Sequence, residues 1–154
     1  LCRDGKCQSL LISGESGAGK TETVKHCLRY LAFRSSGGGR VDEVLLRTNP
    51  ILEAMANAKT LRNDNSSRFG KYVRVYLEPL SGRVKAASVT AYLLEKVRVV
   101  EQLEGERNYH VFYQSARSRG LDPGERRALC GGGVVAVAGV DDAAVWREAT
   151  APAL

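Results

Sequence analysis

The segment SGESGAGKTET, residues 13–23, fits the pattern G-x-x-x-x-G-K-[ST] from Gly14 to Thr21. In such a turn, glycines let successive backbone N–H groups point at a polyphosphate, and the N-terminal end of the following helix favours negative charge. The side chain of Lys20 reaches the outer phosphates, and the hydroxyl of Thr21 is a ligand for Mg²⁺. The pattern predicts a site for a nucleoside triphosphate, and the alternative is a flexible glycine turn without a ligand.

The residues on either side of this turn favour the phosphate-binding interpretation. Leu10, Leu11 and Ile12 form a short apolar run, which predicts a strand over 8–13 that is buried on both faces. After the turn, apolar residues recur at helical spacing and form one stripe, namely Val24, Cys27, Leu28, Leu31 and Ala32. The glycine turn is therefore predicted to join a buried strand to an amphipathic helix, as a phosphate loop requires.

Further elements are predicted from periodicity and turn residues. The sequence predicts a solvated loop at 34–40, a helix over 41–47, a second helix with Asn49 as its N-cap and Pro50 in its first turn, a polar loop over 59–70, a hairpin over 72–94 and a helix over about 106–117. The last of these carries Tyr109, Phe112, Tyr113 and Ala116 on one face, which predicts core packing. A final short helix is predicted to begin at Asp141 or Asp142 and to carry a packed Trp146. The segment 118–133 receives no assignment.

Composition sets broad limits on the class of protein. The length of 154 residues suits one compact domain or part of a larger one, and the net charge of +6 favours polyanionic partners without identifying them. The four cysteines, Cys2, Cys7, Cys27 and Cys130, lack metal-ligand spacing and are expected to be reduced thiols. No leader or membrane-spanning segment is expected, so a soluble protein is predicted.

Several polar residues are given structural interpretations. His26 and His110 are expected to be partly exposed helix residues, because neither has a neighbouring ligand pattern. Lys96 and Arg98 are interpreted as surface charges on a strand-like run. Because the chain opens on Leu1 rather than methionine, it is expected to be a piece of a longer protein.

A second polar segment, RNDNSSRFGK at 62–71, contains two asparagine amides, two adjacent hydroxyls and an arginine. A phosphate loop alone does not cleave nucleotide, because hydrolysis needs further groups that approach the terminal phosphate from the other side. This segment is the best candidate for those groups. The alternative is an ordinary solvated turn.

Three segments in this order resemble the nucleotide-binding part of the myosin motor domain: GESGAGKTET at 14–23, NPILEAMANAKTLRNDNSSRFGKYVRVYL at 49–77 and AYLLEKVRVVEQLEGERNYHVFYQ at 91–114. The terminal segment VDDAAVWREATAPAL is similar to the family more weakly, and 115–140 fits it loosely. Kinesins share an N-x-x-S-S-R segment but continue it with Ser-His, where this chain has Phe69-Gly70. Val97 stands where the family often has serine, which is expected to be a mild structural change.

The resemblance implies ligand contacts for individual residues. ATP phosphates would be held by Gly14, Glu15, Ser16, Gly17, Ala18, Gly19, Lys20 and Thr21. The segment 62–71 resembles the loop called switch I, in which Asn63 would contact phosphate oxygens and Ser66 would lie beside the terminal phosphate and the attacking water. Thr21 and Ser67 would be the protein ligands of Mg²⁺. Lys20, Ser66 and Arg68 are the residues implied in catalysis.

The resemblance also implies a fold class and a function. The expected fold is α/β, a P-loop NTPase core with a central, mostly β sheet flanked by helices, incomplete in this chain. The implied function is Mg²⁺-dependent ATP hydrolysis coupled to movement on actin filaments, in the cytoplasm and cytoskeleton, and the loop at 34–40 would lie beside the nucleotide entrance. Binding to nucleic acid is not expected, because only the net charge supports it.

The same resemblance implies a partner for Arg68, a glutamate in a further loop called switch II. That loop is expected beyond the present sequence, so the isolated chain is expected to turn over ATP poorly and an extended chain to regain hydrolysis. The alternative function is a nucleotide-binding scaffold or regulatory module without turnover.

Overall fold

The computed structural model describes residues 5–34, 40–131 and 136–150, of which 40–47 are described by backbone only. Within these ranges the helices are α1 Lys20–Arg34, α2 Arg40–Ala56, α3 His110–Ser118, α4 Pro123–Cys130 and α5 Asp142–Thr150, with a 3₁₀ helix at Lys96–Val99. The strands are β1 Asn57–Thr60, β2 Asn63–Ser67, β3 Gly70–Leu77 and β4 Val84–Tyr92. The chain divides into two compact units rather than one. The first holds the described residues up to Thr48 with Lys71–Thr90, and the second holds Asn49–Gly70 with the described residues from Ala91.

In the first unit, α1 follows the glycine turn and confirms the predicted amphipathic helix. Leu28 from the apolar stripe is buried. The predicted strand over 8–13 is wrong, because these residues form no strand and the side chains of Leu10 and Leu11 are 72% and 90% exposed. A strand exists only through backbone bonds to a neighbour, and no described residue pairs with this segment.

The prediction of two helices on either side of Asn49 is also wrong, because α2 runs through both Asn49 and Pro50 without a break. Proline removes one backbone hydrogen bond and costs about 3 kcal/mol inside a helix, which is why the sequence favoured a boundary there. The helix continues into a well-packed end, since Asn49, Ala54 and Ala56 are all buried. Packing of this end outweighs the local penalty.

The polar segment 59–70, predicted as a loop, is mostly a hairpin. Strands β1 and β2 pair antiparallel, with Asn57 opposite Ser67, Ala58 opposite Ser66 and Thr60 opposite Asn63, and the register shifts between Ala58 and Thr60. Asparagine and serine are poor strand formers by composition. Here the strand ladder and a bridge from Ala58 to Tyr109 supply the hydrogen bonds that fix the extended backbone.

The second hairpin confirms its prediction. Strands β3 and β4 are neighbours in a two-stranded sheet, and the connecting turn is closed by bonds between Glu78 and Arg83 and between Gly82 and Glu78. Along β3, Val73, Val75 and Leu77 are half-buried whereas Tyr72, Arg74 and Tyr76 are exposed, which is the predicted alternation. A Cβ at Gly70 would collide with the ring of Tyr92, so a larger residue at the start of this strand would require that ring to move.

The core of the second unit lies between helices. Helix α3 packs against α4, α5 and β1, and the buried cluster consists of Tyr113, Ala116 and Cys130, with Phe112 and Leu121 against it. The aromatic face of α3 therefore packs in the core as predicted, although the helix begins at His110 rather than near 106. Helix α5 confirms the last predicted helix, and Trp146 on it is half-buried.

Helix α4 falls in the segment that received no assignment. The side chain of Asp122 accepts hydrogen bonds from the backbone N–H groups of Gly124 and Glu125, and the backbone N–H of Asp122 donates to the carboxylate of Glu125. This capping box, with Pro123 in the first turn, is a start signal that the sequence displays as DPGE at 122–125.

The described residues contain two separate two-stranded antiparallel sheets, and the expected central sheet is not formed among them. None of the helices in the described ranges is long and apolar enough to cross a membrane. The loop predicted at 34–40 lies largely outside the described residues, which resume at Arg40.

Candidate functional site

The glycine turn has an unusual backbone. Gly14, Gly17 and Gly19 have φ angles of +153°, +84° and +83°, values that side-chain-bearing residues rarely adopt. A Cβ at Gly17 or Gly19 would meet no atom within 4 Å, so glycine is required there by the backbone angle and not by crowding. The residues from Ser13 to Gly19 are all exposed, and the backbone N–H of Ala18 donates to the carbonyl oxygen of Glu15 within the turn.

Lys20 folds back over this turn. Its Nζ donates hydrogen bonds to the carbonyl oxygens of Gly14 and Glu15, each at 2.6 Å. The helix α1 begins at this residue, and the backbone N–H of Thr23 donates to Gly19 at 2.9 Å. The ammonium group therefore lies at the N-terminal end of α1, where the first helical N–H groups lack intrahelical acceptors. Thr21 is half-buried in the first turn of the helix.

The candidate residues of switch I lie on or beside β2 in the second unit. Asn63 is half-buried, and its Oδ1 accepts a hydrogen bond from the backbone N–H of Asn65 at 2.9 Å. Ser66 is buried, with 4% of its surface exposed. Ser67 is exposed, and its hydroxyl donates to the carbonyl oxygen of Phe69 at 3.3 Å.

Arg68 makes a two-point ion pair with Glu95. Its Nε and Nη2 lie 2.7 and 3.1 Å from the two carboxylate oxygens. Its Nη1 donates to the hydroxyl of Ser66 at 3.4 Å, so the guanidinium group connects Glu95 with the buried serine. The expected pairing of Arg68 with a glutamate of switch II stays a prediction, and within the described residues Arg68 pairs with Glu95.

Glu95 is itself held by a second arginine. Arg98 Nε lies 2.6 Å from Glu95, and Arg98 Nη1 lies 2.8 Å from Glu106 and 3.1 Å from the carbonyl oxygen of Arg107. Hydrogen bonds from Arg68 and then from Arg98 lower the pKa of the Glu95 carboxyl to about 2. Glu95 therefore stays ionised throughout the physiological range.

The interpretation of Arg98 as a surface charge is wrong, because only 6% of it is exposed and two carboxylates pair with it. It lies in a 3₁₀ turn and not in a strand, so the alternation of charged and apolar residues at 95–100 does not indicate its orientation. Lys96, in contrast, is exposed as expected.

A second buried arginine was missed entirely. Arg107 is fully buried, its Nη2 lies 2.9 Å from Asp142, and its guanidinium carbon lies 3.8 Å from the centre of the Tyr113 ring. Its backbone N–H donates to the carbonyl oxygen of Lys59, which ties it to β1. Asp142 is 35 positions away, so no local spacing could have indicated this pair.

His110, expected to be partly exposed, is buried at the start of α3. Burial, followed by the nearby charge of Arg107, lowers the pKa of its imidazole to about 4. The ring is therefore neutral at physiological pH. His26 is exposed on α1.

Among the described residues, Cys7, Cys27 and Cys130 are free thiols, and no group of three or more His, Cys, Asp or Glu side chains could hold a metal ion.

The sequence of this chain is similar to those of several known proteins. The sequence model of the family described as "Myosin head (motor domain)" matches residues 1–130. Myosin-1 of Arabidopsis thaliana is 53% identical over 129 residues, which are 84% of this chain and 11% of that protein. Myosin ID heavy chain of Dictyostelium discoideum is 46% identical over 157 residues, and unconventional myosin-Vb of Homo sapiens is 45% identical over 156 residues. These two matches cover 94% and 93% of this chain but only 14% and 8% of the relatives.

Proposed function

This chain belongs to the myosin motor-domain family, and from this premise we propose that it forms the ATP-binding part of an actin-based motor. The matched relatives are much longer, since the chain spans between 5% and 14% of their length. Hydrolysis of Mg²⁺-ATP and its coupling to movement on actin filaments of the cytoskeleton are thus proposed for the whole protein. The P-loop NTPase core is proposed on the same basis.

The observation that carries this proposal is the geometry of the glycine turn. Three glycines adopt positive φ angles, the turn is exposed, and Lys20 lies across it within hydrogen-bond distance of two of its carbonyl oxygens. A triphosphate needs backbone N–H donors and a compact cation at one place, and these residues fit that need. In this arrangement Lys20 would neutralise the outer phosphates, while Gly14 to Thr21 would hold and orient them.

The polar residues of β2 would supply the groups that act on the terminal phosphate. Because Asn63 Oδ1 already accepts a hydrogen bond, its amide N–H₂ group is the one that would donate to a phosphate oxygen. Ser66 would orient the attacking water, and Arg68 would stabilise the closed arrangement. These groups position the reactants and offset charge, as phosphoryl transfer to water requires, without a covalent intermediate.

Thr21 and Ser67 would hold Mg²⁺ through their hydroxyl oxygens, a ligand type that this hard cation accepts. When bound, the ion supplies charge neutralisation for the phosphate oxygens.

Titration of the chain with ATP, with and without Mg²⁺, tests the proposal. Lys20→Ala should weaken binding by at least about tenfold under both conditions, because a charge-assisted hydrogen-bond donor is lost. Ser67→Ala should weaken binding only when Mg²⁺ is present. Saturating Mg²⁺-ATP that leaves the unaltered chain without bound nucleotide would contradict the proposal, and release of phosphate would distinguish turnover from binding alone.

A further inference from the structure

Glu95 occupies the centre of the ion pairs beside the switch I segment. Its carboxylate accepts two hydrogen bonds from Arg68 and two from Arg98, the shortest of which is 2.6 Å. Its backbone N–H donates to the carbonyl oxygen of Arg68 at 3.1 Å, and its carbonyl oxygen accepts from the hydroxyl of Tyr109 at 2.7 Å. Both the main chain and the side chain of this residue are therefore fixed.

The two arginines bound to Glu95 differ in what they can do. Arg98 is buried and also pairs with Glu106, so it serves as an anchor for the carboxylate. Arg68 is half-buried, and its remaining nitrogen faces the hydroxyl of Ser66. A two-point pair fixes the plane of a guanidinium group, because both of its parallel N–H bonds must be satisfied together. The orientation of Arg68 toward Ser66 thus depends on Glu95.

We propose that Glu95 is a positioning residue for the switch I segment: it acts through Arg68 to hold Ser66 and the end of β2 in the arrangement that binds Mg²⁺-ATP. The inference rests on the proposed function, since it assigns a role within the same site. Glu95 itself would not touch the nucleotide. Its contribution is to limit the rotamers of Arg68, which would otherwise be ordered only when the ligand binds.

Glu95→Gln in the whole chain tests this role, because the amide keeps the size of the side chain and removes the charge shared by both arginines. We expect the affinity for Mg²⁺-ATP to fall about tenfold, as for the loss of a charge-assisted hydrogen bond. Glu106→Gln is the matched control, since it takes a carboxylate from Arg98 without touching Arg68. Glu106→Gln should lower the stability about as much as Glu95→Gln and leave the affinity for Mg²⁺-ATP unchanged. Exposed Glu101→Gln controls for net charge.

A double-mutant cycle separates positioning from general loss of structure. In an Arg68→Gln background, Glu95→Gln should weaken Mg²⁺-ATP binding no further, because its only route to the ligand has been removed. The inference would be overturned if Glu95→Gln weakened Mg²⁺-ATP binding as much in the Arg68→Gln background as in the unaltered chain. It would also be overturned if Glu106→Gln weakened binding as much as Glu95→Gln does. If Lys20→Ala weakens Mg²⁺-ATP binding but Glu95→Gln leaves it unchanged, the role of Glu95 is overturned and the proposed function is not. Failure of the unaltered chain to bind would overturn the proposed function and this role with it.

Discussion

The glycine turn at 14–19 and the β1–β2 hairpin at 57–67 are both polar segments, but their conformations have different origins. The turn is determined locally, since its positive φ angles belong to glycines and Lys20 bonds to carbonyl oxygens only five and six positions away. The hairpin depends on distant groups, because Lys59 accepts from the backbone of Arg107 and Arg68 accepts from that of Glu95. A substitution in the turn should therefore alter only the turn, whereas the loss of a contact that supports the hairpin should destabilise the second unit as a whole.

The largest expected effect comes from removing a distant support of the hairpin. Asp142→Ala leaves the fully buried Arg107 without its carboxylate, and an unpaired buried charge costs about 3–5 kcal/mol. The free energy of unfolding, measured in urea, should fall by that amount. Because Arg107 also donates to Lys59, amide hydrogen exchange in β1 and β2 should become faster.

Asp141→Ala provides the matched control at the adjacent position. Its carboxylate accepts from the N–H groups of Ala143 and Ala144 and so caps α5, but Arg107 keeps its partner in this variant. The expected cost is about 1 kcal/mol, typical of a lost cap. Equal losses for the two variants would show that the buried pair does not support the hairpin.

His110, which is buried near Arg107, should make the free energy of unfolding depend on pH by about 2 kcal/mol. Its pKa is about 4 in the folded chain and about 6.5 when unfolded, so between these values the unfolded state binds more protons. Stability is therefore retained above pH 6.5 and falls as the pH drops toward 4. Urea unfolding at pH 7 and at pH 5 should show a loss of about 2 kcal/mol.

His110→Gln should remove most of this dependence, whereas His26→Gln on the exposed surface of α1 should leave it unchanged. The carboxyl of Glu95 does not interfere, because its lowered pKa of about 2 places its own loss of stability below pH 4.5. A slope between pH 7 and pH 5 that survives in His110→Gln would contradict the assignment.

The same contrast explains which parts of the structure the sequence could predict. Helix α1 and the β3–β4 hairpin follow from periodicity and from turn residues that lie within the segment itself. Helix α4 could also have been found, because the capping box at 122–125 is a local signal. Strand formation at 8–13 was wrongly predicted since an apolar run does not reveal whether a pairing partner is present.

In the candidate site, the family motif identified the individual residues but not what holds them. Lys20 and Arg68 were named from the motif. Glu95, however, is 27 positions from Arg68 along the sequence, and their ion pair depends on how the chain folds back. The burial of Arg98 likewise depends on Glu106 and on the loop beyond it. Pairings of this kind are tertiary contacts, and the periodicity within one segment does not predict them.

The glycine turn itself should show a smaller effect on stability than the buried pair of Arg107 and Asp142. Gly17→Ala forces a positive φ on a residue with a Cβ, at a cost of about 1–2 kcal/mol, and the new methyl group meets no protein atom within 4 Å. Gly139→Ala is the control, because that glycine also has a positive φ angle and an open surrounding but lies in the second unit. Both variants should unfold at slightly lower urea concentrations, and only Gly17→Ala should weaken ATP binding in a titration. Weaker binding in both would show that the loss follows from lower stability and not from the change within the turn.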